Sequence, residues 1–460
     1  MNKKKKVEQM DLISNLPDHL IVRIISLLPT HEAVRTCILS MRWKYLWKGI
    51  DSISLMGYES DPAKFRFLVE HILINCNTTN LLSFVLFCPS RISLSRLNSW
   101  IRKAIGTKIE KLTLSVDTLF PGLPALSVLP QCVLASNTLV SLKLDSFFDI
   151  SVPDSILCFP YLKSLELDLL LPDQCNVMHR LLSSSPVLEQ LFVNGHLDSA
   201  DSTNFDICVR SPLKLSLHLE YQGDGDDEDD TSEYVITIDT PRLRYLSIMD
   251  DSLSQYVVKN LVRVHKAEIM YQTVCLEALE PKHVNSLFEL LKGVSAAEVL
   301  ALHSFTSDVL GSALGLTWPL FPNLKMLEID LHDLSGWTCF SRLLHTVPNL
   351  KVLILGLDAM NIRDDDDERP RFQWSPPETV PVCLLEHIQL IAIKCFVGQE
   401  DELQAVEYLL NNGRVLNRML IGFDRNPVNE DVVKKVLMFH RASKLSQVEV
   451  YNHVICKTNR

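Results

Sequence analysis

Residues 12 to 50 place their apolar side chains at helical spacing. Leu20, Ile21, Ile24, Ile25 and Leu28 recur at steps of one, three and four and predict one stripe on an amphipathic helix. Pro17 suits the first turn of that helix, where a missing N–H costs nothing, and Pro29 ends it. Thr30 reads as the N-cap of a second helix, with Glu32 complementing the dipole in its first turn. Ala33, Val34, Cys37 and Ile38 form the stripe of that helix, and Ser40 is placed to cap a third one carrying Trp43, Leu46 and Trp47 on one face. Three short helices cannot enclose all of these groups. Each stripe needs a facing partner, so the segment reads as an interface.

Beyond it the period changes. The frame apolar-x-x-apolar-x-apolar appears as Ile109-Leu112-Leu114, Leu139-Leu142-Leu144, Leu162-Leu165-Leu167 and Leu188-Leu191-Val193. It returns as Leu243-Leu246-Ile248, Val264-Ala267-Ile269, Ala297-Leu300-Leu302, Leu324-Leu327-Ile329 and Leu350-Leu353-Leu355, and residues 212–219 look like a copy shortened by one residue. From Leu139 to Leu162 to Leu188 the steps are 23 and 26, and from Leu324 to Leu350 the step is 26. Pro160, Pro186, Pro241, Pro322 and Pro348 each stand two residues before a frame. Such a proline stops a helix and biases its neighbour to extended geometry. Each unit therefore reads as helix, proline-marked turn and short strand. One unit cannot cover its own apolar face, so the units are expected to stack into a parallel-stranded solenoid. The fold class expected is α/β.

The 460 residues are 47% hydrophobic and 22% charged, which excludes disorder as the main state. The net charge of −11 argues against a broadly basic nucleic-acid binder. Two runs, Asp224 to Asp230 and Asp364 to Glu368, hold all of that excess and read as solvated loops; their spacing fails the EF-hand pattern. Twelve cysteines without a C-x-x-C pair read as reduced, mostly buried thiols of an intracellular protein. No apolar run is long enough to span a bilayer, no secretory signal is visible, and Lys3 to Lys6 read as a solubility tail. Phosphate-cradling loops, an H-E-x-x-H zinc helix and a nucleophile elbow are all absent, since Gly311-Ser312-Ala313-Leu314-Gly315 puts its Ser in the wrong slot. No cofactor, metal, nucleic-acid or membrane partner is expected, and neither is an enzyme.

Leu16-Pro17-Asp18-His19-Leu20, Ile24-Ile25-Ser26-Leu27-Leu28-Pro29-Thr30, Ala33-Val34-Arg35-Thr36, Leu39-Ser40-Met41-Arg42-Trp43 and Leu46-Trp47 together resemble an F-box. Met41 stands where many relatives carry a basic residue. The resemblance implies docking onto the Skp-like adaptor of a cullin-based (SCF) ubiquitin ligase. Carried over by position, Leu16, Pro17, Ile24, Leu27, Leu28 and Pro29 would form the adaptor face, with Trp43, Leu46 and Trp47 holding the helices together and extending it.

The frames are similar to divergent leucine-rich repeats that lack the usual Asn three residues past the frame; Phe147, Leu170, His196, Asp251, His332 and Asp358 occupy its place. Trp374-Ser375-Pro376-Pro377, Gly398, Glu400 to Glu402, Tyr408-Leu409-Leu410 and Arg441-Ala442-Ser443 resemble the FBD domain of plant F-box proteins. Leu385-Ile388-Leu390, Leu416-Met419-Ile421 and Leu445-Val448-Val450 keep the solenoid frame there, so the FBD region is expected to form the last coils and seal the open end.

The organisation implied is an F-box over 10–56, a connecting or capping segment over 57–108, repeats over 109–372 and an FBD domain over 373–453. The function implied is target recognition for an SCF-type ligase in nucleus or cytoplasm, with the target protein unknown. The alternatives are a non-ligase interaction scaffold and a small-molecule co-receptor. Lys143, Asp145, Lys163, Glu166, Glu189, Arg244, Lys325, Glu328 and Lys351 are the charged residues between the frames that could meet a target.

Overall fold

The computed structural model describes residues 13, 15–57, 61–89, 92–105, 108–116, 127–145, 148–149, 157–171, 175–197, 203–208, 212–221, 234–251, 254–272, 279–313, 315–332, 334–357, 374–423 and 430–452. Both acidic runs and Lys3 to Lys6 lie outside these residues, as do Leu314, Phe147 and Asp358. The chain divides into two compact units. Residues 1–169 and 176–191 form the first, and residues 170–175 and 192–460 the second.

The first unit opens with helices Asp18–Ile25 and Thr30–Arg35, a short 3-10 turn Thr36–Ile38 and a 3-10 helix Trp43–Gly49. Pro17 and Pro29 occupy the N-cap positions of the two α-helices. Thr30 is therefore not a cap but a buried first-turn residue, and its hydroxyl accepts from the N–H of Ser54 at 2.6 Å. The third helix is 3-10 rather than α; Ser40 contributes its carbonyl to Lys44 N–H at 3.2 Å.

Strands Ser52–Met56, Ser83–Cys88, Lys111–Val116, Ser141–Asp145 and Ser164–Leu171 then pair in parallel in that order. The register aligns Ile53, Phe84, Leu112, Leu142 and Leu165, all buried. The solenoid frame thus starts earlier than the sequence spacing announced, with Ile50-Ile53-Leu55 and Leu81-Phe84-Leu86 as its first two copies. Helices Pro62–Asn75 and Leu94–Ala104 join these coils.

In the second unit nine strands pair in parallel, from Lys214–Tyr221 through Tyr245–Asp250, Lys266–Tyr271, Val299–Ser304, Met326–Leu331, Val352–Leu357, Leu390–Phe396 and Arg418–Phe423 to Gln447–Asn452. The FBD residues continue the ladder as expected. Trp374 anchors them, packing against Trp337 and Tyr408 with ring centroids 6.0 and 5.4 Å away.

Each frame proline sits second in a turn closed by the N–H of the next leucine, as from Leu324 to the carbonyl of Phe321 at 3.3 Å. Its fixed φ is what that turn position requires. In two coils, buried polar side chains other than Asn bond the backbone at or just after the end of the strand. Buried Asp250 accepts from Ser254 N–H at 3.0 Å and Tyr256 O–H at 2.6 Å, and Thr306 Oγ1 accepts from Tyr271 N–H at 3.0 Å.

Four expectations are corrected. The frame near residue 215 is not shortened: Pro212, Leu215 and Leu217 fill it, and all are buried. Strands Thr203–Cys208, Tyr234–Asp239 and Gln255–Lys259 form a second parallel sheet, so these coils carry a strand where others carry a helix. The first FBD frame is Ile388-Ile391-Ile393 rather than Leu385-Ile388-Leu390, because Leu353 pairs with Ile391 and a one-residue slip exchanges the faces of a strand. Leu445 is 76% exposed, while Ser446 takes the buried position of that coil.

Candidate interaction site

The N-terminal helices turn two faces in opposite directions. Ile21 and Ile25, four residues apart, are 0% and 1% exposed and pack inward. Ile24 and Leu27, on the other face, are 46% and 84% exposed, and Leu20 and Leu28 accompany them. Pro17 and Pro29 are exposed beside this stripe, and Leu16 is half-buried.

Trp43 and Trp47 are buried and Leu46 is half-buried, so the two indoles lie inside the helical cluster. Trp47 stacks on His71 at 6.4 Å and donates from its ring N–H to the carbonyl of Lys44 at 3.1 Å. Ile38, Leu39, Met41 and Tyr45 are exposed apolar residues too, and helical spacing marks only Ile38 among them. The helix stops at Arg35, and the 3-10 turn after it rotates Ile38 outward.

The exposed stripe is held by charged and polar contacts at its base. Arg42 bonds Asp18 at 2.6 Å and also donates to the carbonyl of Leu16. Ser26 Oγ accepts from Asp51 N–H at 3.3 Å, and Thr30 accepts from Ser54 as above. Both bonds tie the helices to the first strand of the ladder without an intervening linker.

Several of the charged residues singled out in the sequence are held in ion pairs. Lys143 meets Glu166 at 2.5 Å, Lys163 meets Glu189 at 3.0 Å, and Lys394 meets Glu328 at 2.5 Å; Lys325 bonds Glu298. The carboxylate of Glu166 is among the groups that keep the Lys143 ammonium above its ordinary value against the opposing effect of burial. The buried thiols behave as apolar groups: burial pushes Cys76 up to about 11 and Cys88 up to about 12.

Three family models match the chain in the order helices, repeats, terminal coils: the F-box domain at 13–54, the LRR repeats of FBD-associated F-box protein At5g56370 at 97–277, and FBD at 376–421. The chain carries the modules of F-box/FBD/leucine-rich-repeat proteins in their order. It is 26% identical to the Arabidopsis thaliana F-box/FBD/LRR-repeat protein At1g78750 over 97% of both chains. It is 28% identical to F-box/FBD/LRR-repeat protein At5g22660 of the same plant over 96% of both. A putative F-box/FBD/LRR-repeat protein, At5g22670, also of Arabidopsis thaliana, is 29% identical over 98% of this chain and all of its own. With an F-box and leucine-rich repeats, the chain combines modules of protein–protein interaction. No helix among the described residues is long and apolar enough to cross a membrane.

Proposed function

We propose that this protein is the target-recognition subunit of an SCF-type ubiquitin ligase. Its F-box docks a Skp-like adaptor, and through it a cullin, by means of Leu16, Pro17, Ile24, Leu27, Leu28 and Pro29. Leu46 supports that face, and Trp43 and Trp47 fix its shape from within. The module limits proposed from the sequence, F-box 10–56, connecting segment 57–108, repeats 109–372 and FBD 373–453, go with this reading. The repeats hold the target protein, and the protein works in the nucleus or cytoplasm. The receptor performs no bond chemistry. It raises the effective concentration of target lysines beside the activated ubiquitin.

One observation carries the reading: Leu20 and Ile24 on the first helix and Leu27 and Leu28 in the turn after it stand exposed, while Ile21 and Ile25 on the other face of that helix are buried. Large apolar side chains on a rigid base are what binding hot spots consist of. The test is co-purification with a Skp-like adaptor. Wild type is expected to form a stable complex. Leu27→Asp should weaken it about thirtyfold, the ~2 kcal/mol of one hot-spot anchor, without changing the melt. The Leu16→Ala, Pro17→Ala double variant should also lose the adaptor. Folded wild type that fails to bind would overturn the proposal.

A further inference from the structure

Along one edge of the first unit, the residues that precede each strand stand in a continuous row. The carbonyl of Asp51 accepts from the N–H groups of Leu82 and Ser83 at 2.8 and 3.1 Å. That of Leu82 accepts from Glu110 and Lys111 at 2.9 and 3.0 Å. That of Glu110 accepts from Val140 and Ser141 at 2.8 and 2.9 Å, and that of Val140 from Lys163 and Ser164 at 2.8 and 3.1 Å. Leu82, Glu110, Val140 and Lys163 therefore succeed one another about 4.8 Å apart, one per coil. A cleft of about 550 Å³ opens on this row, walled by Tyr161 and Val187 from the turns beside it and by Lys108 at one end. That volume lies within the range that accepts a ligand or a pair of large side chains, roughly 300–1,000 Å³.

Further along the ladder Leu213 is the one other apolar residue at this position among those so bonded, and from Arg244 onward it is held by His265, Glu298, Lys325, Lys351, Gln389 and Asn417, all polar. The residue after each turn proline is Arg242, Asn323 or Asn349 in later coils, but Tyr161 and Val187 here. Tyr161 is 61% exposed and Val187 42%. Single exposed apolar residues need no explanation, whereas exposed Leu82, Tyr161 and Val187 converging on one cleft with half-buried Val140 mark a contact surface.

The charges narrow the partner. Among the described residues the Lys108 ammonium is met only by the amide oxygen of Asn80, at 3.0 Å, while Lys163 is already paired with Glu189. Glu110 lines the same cleft, so a ligand with several carboxylates is disfavoured. A single carboxylate aimed at Lys108 is what these charges fit.

We propose that the cleft is a docking site for an extended protein segment. The segment inserts one or two bulky apolar side chains among Leu82, Val140, Tyr161 and Val187, and sets one carboxylate against Lys108. The inference rests on the target-receptor reading only for what the bound segment belongs to, because binding itself requires neither adaptor nor ubiquitin.

The experiment is selection of a phage-displayed random dodecapeptide library on the full-length protein, with deselection against the Tyr161→Asp variant. The enriched peptides should share an aromatic or large aliphatic residue beside one Asp or Glu. A synthetic consensus peptide should bind wild type and lose at least tenfold on Tyr161→Asp. It should lose as much on Lys108→Glu, and a peptide with Lys in place of its acid should regain affinity for that variant. No enrichment over the deselecting variant would overturn the site, and so would peptides that both variants bind as well as wild type. Adaptor co-purification on the same variants, expected to be unchanged, separates failure of this site from failure of the ligase reading.

Discussion

Glu402 folds back on the chain just before its own helix. One carboxylate oxygen accepts from three successive N–H groups, Val397 at 3.0 Å, Gly398 at 2.6 Å and Gln399 at 3.1 Å. Burial raises the Glu402 pKa, and the three N–H donors oppose that rise. Replacing Glu402 with Ala strands those donors, and urea unfolding should show a loss of about 2 kcal/mol. Gly398 is fixed for two reasons: its φ is +91°, and a Cβ there would stand 2.6 Å from Val432 Cγ1. The sequence motif marked both positions without their roles. Gln399-x-x-Glu402 lacks the Ser or Thr that signals a capping box, so its hydrogen bonds were not legible from residue types. The exposed stripe of the first helix divides in the same way. The i, i+4 spacing announced one stripe, but only packing separates buried Ile21 and Ile25 from exposed Ile24 and Leu27.

At the scale of one strand, period-2 alternation fixes the face of a residue only where polar neighbours interrupt the apolar ones. Around Leu327 they do, and the frame was readable directly. Around residues 385–393 six apolar residues occupy both faces, and only the pairing of Ile391 with Leu353 decides. Ile391→Ala should therefore cost about 3 kcal/mol in chemical denaturation, and Leu390→Ala less than half of that. Leu445→Ser should change stability by no more than about 0.5 kcal/mol, as an exposed position does.

Neighbouring strands also carry a pH-sensitive pair. His303 Nδ1 lies 3.2 Å from Asp330 Oδ2, and this hydrogen bond, reinforced by the charges of Asp330, Glu328 and Glu268, raises the imidazole pKa against burial. The raised value means that the folded state holds the proton more tightly. The stabilisation is complete below the unfolded value near 6.5 and is lost as pH rises through the folded one. The stability difference between wild type and His303→Gln should shrink over that interval in melts run at stepped pH.

For the molecule as a whole, each compact unit buries its own series of frames. Differential scanning calorimetry should give a measured enthalpy larger than the van't Hoff value, because stacked repeats with two cores do not unfold as one cooperative block. The order of modules was legible in the sequence, since the repeat, its prolines and the helical segment differ in period. The start of the ladder was not, because Ile50-Ile53-Leu55 is the end of one module and the first rung of the next. This shared rung, bonded to Ser26 and Thr30, makes the F-box and the first coils a single ruler. Distance from the exposed apolar stripe of the helices to the Tyr161 cleft is then counted in whole coils, about 4.8 Å each. Sequence drift within a coil leaves that count unchanged. Gain or loss of one coil between Asp51 and Lys163 would reset it by a full graduation, and under the function proposed above would change which target lysines come within reach.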